Sequence, residues 1–215
     1  MDSFYTNNMG LGTDIEDNIF QKEKRINSII DDIFKFYYKN GNNDYIGEGV
    51  TQLEHMTQSA MIAESENQPL EVILAAFFHD LGHILEDYRD LENSTVETMG
   101  EFGVKDHEKV GADYLRSKGI NYPIPELVEN HVKAKRYLTY KYPEYYNNLS
   151  DGSKNTLRYQ GGPMSEIEAS IFENDPLFKT SLKMREYDER SKEQNIQLNN
   201  LTYYENLLRR YLNNL

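Results

Sequence analysis

The chain has 215 residues, 38% hydrophobic and 12% aromatic, which suits one large domain or two small ones and allows a full core. Its formal net charge of -13 argues against a nucleic-acid surface, although a few local cations can still receive an anion. The absence of cysteine excludes disulfides, thiolate nucleophiles and cysteine-held metal.

Residues 1–13, rich in Gly, Asn and Thr, read as loose. No charged stretch followed by an apolar one opens the sequence, so no signal peptide is expected and cytoplasmic placement is the default. From Asp14 to Tyr38, Ile15, Ile19, Ile26, Ile29, Ile30, Ile33, Phe34 and Tyr37 recur at helical spacing, and Gly41 ends the helix. Asp44-Tyr45-Ile46-Gly47-Glu48-Gly49 reads as a glycine-punctuated turn carrying acids. A second helix is predicted over about 51–67, with Leu53, Met56, Ala60 and Met61 inward and His55 beside that stripe. Pro69 opens a third, Leu70 to about Leu85. It contains the longest apolar run, Val72 to Phe78, far too short to span a bilayer. That run leads into His79, Asp80 and His83 within the same predicted helix. Residues 86–103 are acidic and irregular and read as a surface excursion.

A fourth helix, predicted over 106–118, carries His107 in its first turn and closes at Gly119. Pro123 and Pro125 introduce a fifth, with Leu127, Val128, Val132 and Leu138 inward, His131 and Lys135 one turn apart, and Pro143 as its stop. Leu149 to Ser153 is a loop or a helix start, and Tyr159 to Met164 is a second glycine-rich turn. Ser165 and Glu168 form a capping box. Pro176 starts a helix through about Lys192, and a last helix runs from Leu201 to Leu215 with Leu207, Leu208 and Leu212 inward. No segment alternates with period two. The predicted fold class is all-α, a single domain over 1–215 with its catalytic core at about 44–192.

The five histidines, His55, His79, His83, His107 and His131, fall on several predicted helices, as when helices converge on a buried metal. A buried carboxylate is costly unless it is paired or metal-bound, so Asp80 after an apolar run suggests a metal. Imidazole with carboxylate suits zinc, manganese or iron better than calcium. Taken singly, each histidine reads as an ordinary surface or hydrogen-bonded residue. Asp188, within Arg185-Glu186-Tyr187-Asp188-Glu189-Arg190, reads as part of a solvated charged face. Lys135 and Arg136 read as surface charges, except that Lys135 shares the His131 face and would suit a phosphate-like anion beside a metal.

In this order, His55, His79-Asp80, His107, His131 and Asp188 resemble the HD-domain superfamily. Six stretches narrow the resemblance: Asp44 to Glu48 with Gln52 to His55, Leu74 to His83, His107 to Arg116, His131 to Leu138, Asn148 to Ser153, and Tyr159 to Met164. They are similar to the mixed-valent di-iron oxygenases of that superfamily, and among these to the 2-amino-1-hydroxyethylphosphonate dioxygenases. The resemblance spans about residues 45–190. A longer N-terminal lead and the longer acidic 86–103 excursion depart from the pattern without displacing a motif residue.

The resemblance implies an HD-type helical bundle with a buried dinuclear metal site. One iron would be held by His55, His79, Asp80 and Asp188, and the other by Asp80 as bridge, His107 and His131. Tyr45 would occupy the first iron until substrate arrives, and Glu48 would answer a substrate ammonium. His83, Lys135, Ser153 and Thr156 would surround a phosphonate. The cofactors would be two irons as an Fe(II)/Fe(III) pair, with O2 as co-substrate. The reaction implied is oxidative cleavage of a carbon–phosphorus bond in a 1-hydroxyphosphonate, releasing phosphate and, from the amino substrate, glycine. The partner would be a small organophosphonate, with neither nucleic acid nor membrane involved. The competing reading within the superfamily is a phosphohydrolase dependent on Mg or Mn.

Overall fold

A computed structural model describes residues 9–45, 47–85, 97–100 and 103–215, with backbone alone for 9–15. In chain order the helices are α1 (Met9–Asn40), α2 (Gln52–Ser65), α3 (Leu70–Phe78), α4 (Leu81–Ile84), α5 (His107–Ser117) and α6 (Ile124–Lys141). Then follow α7 (Pro143–Asn148), α8 (Asp151–Tyr159), α9 (Glu166–Glu173), α10 (Phe178–Arg190) and α11 (Leu201–Asn213). Among the described residues no strand forms, and the extended pairing is limited to two isolated bridges, Asp44 with Thr51 and Thr98 with Val104. The fold is all-α, as the periodicity predicts. Among the described residues no helix is long and apolar enough to cross a membrane.

The core is built round α3. Every side chain from Val72 to Phe78 is buried, and a helix that is apolar all round has to be enclosed by others. α1 supplies Ile26, Ile30, Ile33, Phe34 and Tyr37, and α11 supplies Tyr204, Leu207, Leu208 and Leu212. Phe77 lies between the stacked rings of Tyr204 and Tyr37, at centroid distances of 4.1 and 4.7 Å. Burying such a side chain contributes roughly 1.5–3 kcal/mol. A smaller cluster, Ala134, Tyr137, Met164, Ala169 and Phe172, seals α9 against α6. Arg136 then ties the glycine-rich turn down, donating to Gly162 O at 2.9 Å and to Glu168 Oε1 at 2.8 Å.

Several boundaries differ from the expected ones. Residues 9–13, expected to be loose, belong to α1, while residues 1–8 and most of the 86–103 excursion lie outside the described residues. The single helix expected over Leu70–Leu85 is broken. α3 stops at Phe78, His79 and Asp80 form a turn, and α4 restarts at Leu81. Hydrophobic periodicity runs through this break because the turn keeps both flanking segments in the core. Asp80 is therefore an N-cap residue by position, yet its carboxylate makes no capping bond and is free to face inward. Pro143 is both a stop and a start, since it also opens α7: a fixed φ and a missing N–H suit a first turn. Ser150 caps α8, and Ser165 with Glu168 forms the expected capping box of α9.

Candidate metal centre

Each of four histidines is fixed by its Nδ1 to a backbone carbonyl. His55 on α2 faces Ser191 O at 3.0 Å, and His79 in the turn faces Ala76 O at 2.8 Å. His107, the first residue of α5, faces Val104 O at 3.3 Å, and His131 on α6 faces Val128 O at 2.6 Å. A carbonyl accepts only from N–H, so Nδ1 carries the hydrogen in all four. Nε2 is left as the lone pair, which is the tautomer a metal-binding imidazole adopts.

Those four Nε2 atoms converge. His55 and His79 bring theirs within 3.0 Å of each other, and His107 and His131 within 3.3 Å. Asp80 lies between the pairs. Its Oδ2 is 3.4 Å from both His55 and His79, and its Oδ1 is 3.3 Å from His107 and 3.5 Å from His131. Lone pairs this close repel unless a cation sits between them. Ligands at right angles around an ion with bonds of about 2.0–2.1 Å lie about 3 Å apart, so the spacing fits a metal in each trio. The two sets, His55 with His79 and Asp80, and Asp80 with His107 and His131, share the one aspartate.

α10 adds a second buried carboxylate. Asp188, read from sequence alone as part of a solvated face, is only 4% exposed. Its Oδ2 accepts from Arg185 Nη1, while Oδ1 is 3.4 Å from His55 Nε2 and has no hydrogen-bond partner among the described residues. A buried carboxylate oxygen without a hydrogen-bond partner calls for an explanation, and a cation beside it would supply one. Of the run Arg185 to Arg190, Arg185 and Asp188 turn inward, while Glu186 and Arg190 stay near the surface.

The close approach between α4 and α5 is a glycine matter. A Cβ on Gly82 would stand 2.0 Å from His107 O, and one on Gly111 would stand 3.1 Å from Gly82 N. No side chain fits between these backbones, which is how Asp80 comes within reach of His107.

Burial and charge act against each other throughout the centre. Burial alone would raise the pKa of Asp80, but His79, His107 and His55 hold it well below the usual range. Burial would lower His55, but the Asp188 and Asp80 carboxylates beside it raise it to about 9. His131 is pushed down to about 3 by burial and by His79. Burial and Arg185 bring Lys135 down to about 7.

A cavity of about 570 Å³ opens onto Asp80, His107, His131 and Asp188. Lys135, expected either on the surface or on an anion, is buried and donates to Thr156 Oγ1 at 3.0 Å. Arg185 Nη2 donates to Ser153 Oγ at 3.4 Å, so two cations and two hydroxyls face one region. His83 stacks on His107 at 3.9 Å between centroids, and its Nδ1 accepts from Val104 N–H at 3.3 Å. Its hydrogen is therefore on Nε2, the reverse of the four histidines around Asp80. Tyr45 stacks on His55 at 4.2 Å, and Glu48 is ion-paired with Lys192. The sequence reading did not single out Arg185, Lys192 or Gly82. The i,i+3 spacing of Arg185 and Asp188 was a usable signal; the other two become visible only through contacts distant in sequence.

Such a helical frame with a histidine–aspartate centre is that of the HD domain, which the chain matches over residues 52–172. It is 47% identical over 195 residues to a protein of Acanthamoeba polyphaga mimivirus known as uncharacterized protein L432, covering 91% of this chain and 85% of that one. It is 38% identical over 167 residues to a [1-hydroxy-2-(trimethylamino)ethyl]phosphonate dioxygenase (glycine-betaine-forming) of Leisingera caerulea, covering 77% of this chain and 81% of that one. A hydroxymethylphosphonate dioxygenase of Gimesia maris is 34% identical over 172 residues, 80% of this chain and 82% of the relative. The chain belongs to the HD-domain oxygenase family.

Proposed function

We propose that this chain is a di-iron dioxygenase that cleaves the carbon–phosphorus bond of a 1-hydroxyphosphonate such as 2-amino-1-hydroxyethylphosphonate, which would give glycine and phosphate. The observation that carries the reading is Asp80, which offers one carboxylate oxygen to each of two histidine pairs. Each set of two imidazoles and one carboxylate is the donor set of non-haem iron oxygenases, which leaves positions open for small molecules. The two dioxygenases among the relatives are both named for phosphonates with a hydroxyl on the first carbon, which supports the same chemistry here.

His55, His79, Asp80 and Asp188 would hold one iron, and Asp80, His107 and His131 the other. When bound, an Fe(II)/Fe(III) pair supplies activation of the co-substrate O2 and the electron transfers of the cleavage. The chain's own residues bind and orient the substrate. Lys135 gives one N–H to Thr156 and keeps two for a phosphonate, and Ser153 accepts from Arg185 and keeps its own hydrogen to donate. His83 offers Nε2–H to the same anion. These groups let a chain of net charge -13 receive a dianion. Tyr45 and Glu48 share one turn, with Glu48 N donating to Tyr45 O at 3.0 Å. A group that arrives beside Glu48 would act on the turn that carries Tyr45, and we assign Tyr45 as the residue that would cover the first iron until substrate enters.

The test is phosphate release from 2-amino-1-hydroxyethylphosphonate by iron-loaded protein, with and without O2. Release should track O2 consumption and stop under nitrogen. Equal release without O2 would instead mark hydrolytic cleavage and overturn the oxygenase reading.

A further inference from the structure

Lys192 stands apart from the cations just described. Its Nζ is ion-paired with Glu48, donates to Ser150 Oγ at 3.3 Å and lies 5.8 Å from the centroid of the Tyr45 ring. Ser150, Ser153 and Thr156 succeed one another at the start and along α8, and their partners are Lys192, Arg185 and Lys135 in the same order. Lys135 is held there by a hydroxyl, whereas Arg185 is already bonded to Asp188 and Glu189, and Lys192 to Glu48. The pair of Lys192 and Glu48 is partly desolvated, with side-chain exposures of 18% and 13%.

Lys192 is also tethered on both sides. Ser191 O faces His55 Nδ1 at 3.0 Å, and Ser191 Oγ donates to Asp188 O at 2.9 Å. Glu193 N donates to Gln58 Oε1, and Gln58 Nε2 donates back to Glu193 O, each at 2.9 Å. The backbone at 192 cannot retreat without disturbing the metal centre or α2.

We infer that Lys192 sets substrate specificity as a built-in counter-cation for Glu48, and that the cavity favours 1-hydroxyphosphonates whose tail carries no ammonium. The inference rests on the reading that this cavity takes a 1-hydroxyphosphonate, and within that class it ranks the amino compound named above below those with an uncharged tail. A substrate ammonium would have to share Glu48 with Lys192, placing two cations on one carboxylate where screening is weak. A primary ammonium could replace the bond to Glu48 but would strand Lys192. A trimethylammonium has no N–H and could restore neither hydrogen bond. A hydrogen or methyl tail asks nothing of the pair.

Calorimetric titration of the iron-loaded protein under nitrogen tests this with ethylphosphonate and 2-aminoethylphosphonate, which lack the reactive hydroxyl. The unaltered chain should bind ethylphosphonate roughly tenfold more tightly or better, the scale of one charged hydrogen bond. Lys192→Met should erase or reverse that preference, and Lys192→Arg should keep it, with circular dichroism verifying the fold of each. Tighter binding of 2-aminoethylphosphonate to the unaltered chain overturns the inference, as does an unchanged ratio in Lys192→Met. If neither phosphonate binds, the phosphonate reading itself fails and takes the inference with it, an outcome distinct from binding with the opposite preference.

Discussion

Arg185 takes one oxygen of the Asp188 carboxylate and leaves the other buried, without a hydrogen-bond partner among the described residues and 3.4 Å from His55 Nε2. The guanidinium does two things at once. It helps to hold Asp188 ionised, well below the usual carboxylate range despite burial, and it fixes which oxygen is left for a metal. Asp188→Ala should therefore reduce bound iron from two per chain to one. Elemental analysis of the purified variant that still finds two would remove Asp188 from the ligand set.

Asp80 faces one histidine pair with each oxygen, so its loss should be felt on both sides. Asp80→Ala should abolish binding at both positions. One iron retained at full occupancy would show that the two trios are independent.

Lys135 is buried beside the centre without belonging to either trio. In Lys135→Ala both irons should remain, while phosphonate binding weakens roughly tenfold or more, the value of a charge-assisted hydrogen bond. Loss of iron in this variant would mean that the lysine supports the metal centre instead of the anion.

Gly82→Ala places a methyl carbon where His107 O already lies 2.0 Å away. Backbone cannot yield as a flexible side chain would. The expected cost is roughly 1–3 kcal/mol of stability by overpacking, together with weaker iron binding at the His107–His131 side. Denaturant midpoints and iron titrations that match the unaltered protein would refute the close-packing account.

The capping box of α9 gives a pH signature independent of metal. Ser165 N–H first, and then Arg136, bring Glu168 down from 4.5 to about 2. A depressed carboxylate stabilises the fold above its unfolded value and loses that contribution as pH falls through the folded one. Metal-free Glu168→Gln should thus be less stable than its parent at pH 7, and the gap should begin to close below about pH 4.5. A urea-midpoint difference that stays constant from pH 7 down to pH 3.5 would contradict this.

The apolar run Val72–Phe78 announced a buried helix, and it is one; Ser165 and Glu168 announced a cap, and they form it. Asp188 was a different case. Spacing alone left it in a charged solvated face, and only resemblance to known sequences set it among the candidate ligands. The break at His79-Asp80 was invisible because both flanks keep the same apolar character.

What the sequence determined by itself is what neighbouring residues decide: which segments coil, where Ser, Pro and Gly punctuate them, and that imidazoles and carboxylates suited to a transition metal are present without thiols. What only the tertiary structure decided is how separate helices meet: Asp80 placed between two histidine pairs, Asp188 turned inward by Arg185, and Lys192 set against Glu48. Helical spacing fixes a residue's angle about its own axis. The packing of other helices, and the absence of a side chain at Gly82, decide what that angle faces.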